Sequence, residues 1–80
     1  MEIGEIIRVV IGFFLNTLES KARVIGVTPT DDGWMARVEV DVEGRDIRKR
    51  WFVASYEVLL NRNLEIISFQ RKEIVDRSSS

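Results

Sequence analysis

Few side chains in this chain could do chemistry, and their spacing narrows the choice further. Asp31 and Asp32 form an adjacent carboxylate pair, the grouping that general acid–base work would use. They stand directly before Gly33, however, where aspartate is expected from turn chemistry alone. Ser55 and Tyr56 place two hydroxyls side by side, but the chain has no histidine to activate either one and no cysteine to replace them. Glu39, Asp41 and Glu43 alternate along an extended run, whereas calcium ligands curl round the ion. Gly26, Gly33 and Gly44 are isolated and make no phosphate-cradling loop. The reading is a protein that is not an enzyme, with no catalytic residue, cofactor or metal.

A second constellation is basic. Arg45, Arg48, Lys49 and Arg50 crowd into six residues just before Trp51, which would suit phosphate contacts beside a stacking aromatic. The whole-chain balance of 12 basic against 13 acidic side chains argues against nucleic acid, since a domain that lives on phosphates is usually strongly basic. That balance is uneven along the chain. The first 44 residues hold four basic and eight acidic side chains, the remainder eight and five. A solvated sheet end accounts for such a split, and an acidic partner is the alternative.

These residues must be held by something small. Eighty residues make one domain, and 45% apolar content suits a folded globule. Without cysteine there is no disulfide frame. The longest N-terminal apolar run, residues 9–15, is far below the roughly 18–20 residues that cross a bilayer. No basic start or small-residue cleavage site surrounds it. A cytoplasmic protein is expected.

Ile3, Ile6, Ile7, Val10, Phe14 and Leu18 recur at helical spacing. Their apolar arc, with Phe13 and Leu15 at its margins, covers about 200°, whereas one helix on one sheet needs a stripe of only about 100°. The excess calls for a deep cradle or a second apolar partner, such as another copy of the chain. After Ser20 the period becomes two. Residues 22–28, 34–42, 47–60 and 64–75 read as strands, separated by turns at residues 29–33, at Gly44 and at residues 61–63. The expected fold is α+β, an N-terminal helix packed on one face of a four-stranded antiparallel meander. The domain would run over residues 1–76, with a disordered tail at 77–80.

Two short loops fix an expected register. A loop over residues 44–46 sets Val38 opposite Phe52, Ala36 opposite Ala54 and Trp34 opposite Tyr56. A turn at Arg62-Asn63 sets Val58 opposite Ile67 and Tyr56 opposite Phe69. The helix would then cover Trp34, Val38, Phe52, Tyr56, Val58, Ile67 and Phe69. The other face would carry Met35, Arg37, Glu39, Asp41, Lys49, Trp51, Val53, Ser55, Glu57, Ile66 and Ser68, with Asp41 against Lys49 and Glu39 against Trp51. Large apolar side chains among charges resemble an interface. The candidate partner-binding residues are Met35, Arg37, Glu39, Arg45, Lys49, Trp51, Val53 and Glu57.

From Val24 onward the order Asp32-Gly33-Trp34, Val38-Glu39-Val40, Arg45, Ser55-Tyr56-Glu57-Val58, Asn63-Leu64-Glu65 and Phe69-Gln70-Arg71 resembles the gas vesicle accessory protein O (GvpO) family. The likeness spans about 50 of the 80 residues. Asp46-Ile47 stands where the family has a proline, and Glu73-Ile74 where it has Arg-Tyr. The family's long polar N-terminal extension is missing, as in a divergent or truncated member. The resemblance implies a non-enzymatic cytoplasmic accessory protein that binds gas vesicle shell or accessory proteins. Trp34, Glu39, Arg45, Tyr56 and Glu57 all match motif positions. The expected register puts Trp34 and Tyr56 in the core and leaves Glu39, Arg45 and Glu57 exposed as contact candidates. Gly-Trp and Tyr-Glu-Val strands also occur in small propeptide-like (PepSY) and cystatin-like sheets, which implies a binding or inhibitor module as the alternative. RNA binding through the Arg45–Arg50 cluster is a third reading.

Overall fold

A computed structural model describes residues 2–42 and 52–76. One helix, α1 (Glu2–Thr17), is followed by four strands: β1 (Ala22–Thr30), β2 (Gly33–Val42), β3 (Phe52–Asn61) and β4 (Ile66–Asp76). All neighbours pair antiparallel in the order β1-β2-β3-β4. This is the α+β meander that the period change at Ser20 predicts. The tail at 77–80 lies outside the described residues.

The helix lies on one face of the sheet. Ile6, Val10 and Phe14 step along α1 at four-residue intervals and are wholly buried, as one stripe of an amphipathic helix must be. They meet Ala36, Val38 and Val40 of β2 and Val58 and Leu60 of β3, with Trp34, Tyr56 and Ile66 packed around them. Each such side chain contributes roughly 1.5–3 kcal/mol by leaving water. Aromatic rings tie the helix to β3 and β4 as well. Phe14 meets Tyr56 edge-on at 5.1 Å, and Phe13 meets Phe69 at 5.1 Å. The apolar excess on the helix remains in the open: Ile3, Val9, Leu15 and Leu18 are exposed.

Helix α1 ends without glycine. Glu19 takes the left-handed conformation at φ 53°, which lets the Ser20 N–H turn back to the Phe14 carbonyl at 3.2 Å. The Ser20 hydroxyl donates to the Leu18 carbonyl at 3.0 Å.

The registers differ from those the short loops predict. Val38 faces Tyr56, Ala36 faces Val58 and Trp34 faces Leu60, while Phe52 reaches only Val42. The pairing is displaced by four residues, and the expected loop at 44–46 lies outside the described residues. Between β3 and β4, Val58 faces Phe69 and Tyr56 faces Arg71, a displacement of two. The cause begins in the turn. Asn61 and Leu64 close it with a 3.0 Å backbone bond, and Leu64 adopts φ 62° before Glu65 rejoins Asn61 at 3.0 Å. Three residues, 62–64, thus stand where two were expected, and the extra residue Ile67 in β4 adds the second step of the displacement.

Two face assignments change with the register, and a third residue keeps its face but loses the helix above it. Ile66 pairs with Leu60 and packs with the helix-side core. Ile67 is the extra residue of a bulge between the Leu59 and Leu60 pairings and is 61% exposed, so the helix does not cover it. Phe52 sits at the end of β3, apart from the helix-side cluster.

Candidate functional site

The face of the sheet away from the helix is built as rows running across the strands. One row reads Arg23, Glu39, Ser55, Glu73, and the next reads Gly26, Arg37, Glu57, Gln70. A third sets Thr28, Met35, Leu59 and Ser68 side by side. Strand alternation puts these residues here, because their neighbours Val38, Ala36, Tyr56 and Val58 are taken by the helix side.

Two bulges shape the surface. Ile25 is an extra residue between Val24 and Gly26, and Lys72 is extra between the Ser55 and Tyr56 pairings. Both line a shallow groove of about 330 Å³ together with Arg37, Glu39, Ser55 and Glu57. Charges of both signs face one another there. Arg23 bridges Asp41 at 3.1 Å and Glu39 at 3.7 Å, and Lys72 stands 3.8 Å from Glu57. These pairs are partly exposed, and each is worth at most about 1 kcal/mol. Their use is orientation: a partner meets a fixed pattern of charge with Ile25 exposed beside it.

The candidate partner-binding residues divide three ways. Met35, Arg37, Glu39 and Glu57 lie on this face as expected, Arg37 exposed and the other three half-covered. Val53 also points to this face, opposite Asp41 and Val75, but is only 1% exposed. It is held inside and offers nothing to a partner. Arg45, Lys49 and Trp51 lie outside the described residues. The expected oppositions of Asp41 with Lys49 and Glu39 with Trp51 are replaced by Asp41 with Val53 and Glu39 with Ser55.

Two contributors escape a reading by alternation. Ile25 and Lys72 reach the groove only because of the bulges. Gly26, next to Ile25, is the one hint that a bulge is present. Asp31 and Asp32 form the tight turn between β1 and β2, where the Asp31 carbonyl accepts a hydrogen bond from Arg62 Nη2 at 3.0 Å. Among the described residues no cluster of three or more acidic, histidine or cysteine side chains is placed to hold a metal. No helix among them is long and apolar enough to cross a membrane.

No family model, no curated protein and no solved structure matches the chain.

Proposed function

We propose that this chain is a non-enzymatic accessory protein that works by binding other proteins through the open face of its sheet, in the cytoplasmic assembly of gas vesicles. The observation that carries the binding role is the uncovered, patterned face itself. Arg37, Glu57 and Lys72 present alternating charge around a groove whose rim includes the exposed Ile25, and such mixed surfaces suit docking of a polar partner. The gas vesicle assignment rests on the sequence resemblance, whose Gly33, Trp34 and Tyr56 serve the fold and whose Glu39 and Glu57 belong to this face.

The test is capture of shell and accessory proteins from a gas vesicle gene cluster by the purified chain. Wild type is expected to retain at least one of them. Arg37→Glu and Glu57→Lys are expected to lower its affinity about tenfold while leaving the fold intact, each reversing a charge that meets the partner. Trp51→Ala tests the aromatic that precedes β3. Failure of wild type to retain any of these proteins would sink the gas vesicle reading. Retention unchanged by both charge reversals would remove the open face as the docking surface.

A further inference from the structure

We propose that two copies of this chain pair antiparallel along the outer edge of β4, joining their sheets into one. The two edges of this sheet are built differently. β1 is blunted by Pro29, which has no N–H to offer, and by the bulge at Ile25 beside Gly26, devices that discourage another strand. β4 carries bulges of its own at Ile67 and Lys72 but no proline, so each of its residues keeps an N–H. It runs for 11 residues without proline or glycine, and it is last in the strand order, so no described strand borders its outer side. It also leaves Phe69 and Ile74 exposed, at 41% and 51%.

The side chains of β4 select the occupant. Strands that pair must oppose residues of the same face. A two-fold axis through the sheet between Lys72 and Glu73 sets Lys72 against the partner's Glu73, twice, and both residues line the open-face groove. The same axis sets Arg71 against the partner's Ile74, both on the helix side since they face Tyr56 and Ala54. It sets Gln70 against the partner's Val75, both on the open side opposite Glu57 and Val53. A slip of one residue either way opposes Lys72 to its own copy or Glu73 to its own copy, and mixes the faces. The bulge at Lys72 brings two adjacent charges of opposite sign onto one face, and that makes the edge complementary to itself. Phe69 and Ile74 both fall within the paired span.

Sedimentation velocity over about a thousandfold range of concentration tests this, because mass action must move a reversible dimer across such a range. The mass is expected to rise from 9.3 kDa towards twice that value. Lys72→Glu and Glu73→Lys are each expected to weaken the dimer about tenfold, since each reversal opposes like charges at two symmetry-related positions. The double variant K72E/E73K restores opposite signs and is expected to return to within about threefold of wild type. Circular dichroism confirms that each variant is folded. A chain that stays monomeric throughout overturns the proposal and leaves the β4 edge to a strand of another protein. A dimer indifferent to both charge reversals but lost in Leu15→Glu overturns it as well, and moves the contact to the helix.

Discussion

Gly33 and Leu60 approach so closely that the pair admits no side chain between them. A methyl group built on Gly33 would overlap the Leu60 carbonyl oxygen and lie 2.7 Å from the carbonyl carbon of Asn61. Gly33 opens β2 opposite Asn61 and follows the tight turn from β1, so the start of one hairpin rests on the end of the next. Gly33→Ala is therefore expected to destabilise the fold by about 2–3 kcal/mol, the range of overpacking against groups that cannot retreat. A urea titration followed by tryptophan fluorescence would read it. An unchanged midpoint would show that the two backbones are not in contact.

The same end of the sheet depends on Asn61. Its side-chain oxygen accepts the backbone N–H groups of Asn63 at 2.9 Å and Glu65 at 3.0 Å, and its amide donates to Glu65 Oε1 at 2.9 Å. These bonds hold Leu64 in its left-handed conformation, which a leucine adopts only under constraint. Asn61→Ala should cost about 1–2 kcal/mol, with Asn61→Asp falling between it and wild type because the acceptor bonds survive. Thermal unfolding of the three proteins side by side would check the order.

Glu19 offers a gain of the opposite sign. It ends α1 at φ 53°, where a Cβ is crowded and glycine is not. Glu19→Gly should stabilise the protein by about 0.5–1 kcal/mol, the relief of strain being partly offset by the greater freedom of glycine in the unfolded chain. A lower melting temperature in the variant would mean that the Glu19 side chain makes a compensating contact.

Much of this architecture is legible in the sequence, and the part that is not has a definite physical reason. Alternation has a period of two, so it assigns a residue to a face without saying which partner lies opposite. Val38 belongs on the helix side whether it meets Phe52 or Tyr56, since the two pairings differ by four residues. The face survives the error and the register does not. The β4 displacement came from Leu64, whose residue type gives no sign of a left-handed turn, and from bulges that shift the phase of a strand midway. Met35, Arg37 and Glu57 stayed on the open face because they sit in unbroken alternation. Ile66 changed sides because the turn before it holds one residue more than expected.

The helix separates positions that sequence alone treats alike. Phe14 and Leu15 are adjacent large apolar residues, yet Phe14 is fully buried against Tyr56 while Leu15 is 47% exposed. Phe14→Ala should cost about 3–5 kcal/mol through lost burial and the cavity left behind. That is a large share of what a domain of this size possesses. Leu15→Ala should change stability by less than about 0.5 kcal/mol, as surface substitutions do. Equal losses at the two positions would mean that the helix is rotated about its axis.

Val53 and Arg37 divide folding from recognition on one face of the sheet. Val53 is enclosed and Arg37 is exposed, although alternation puts both on the side away from the helix. Truncating Val53 to alanine removes buried methyl groups and should lower stability by about 1–3 kcal/mol. At a temperature where the variant is still folded, its affinity for a captured partner should match wild type, because the side chain never reaches the surface. Arg37→Glu should do the reverse, holding the unfolding midpoint within about 0.5 kcal/mol and weakening capture. Pairing a denaturation curve with a binding isotherm for each variant reads both quantities. If Val53→Ala lost affinity while keeping its midpoint, the residue would have to be reachable by the partner, and the division of this face into an enclosed end at Val53 and a recognising centre at Arg37 would be wrong.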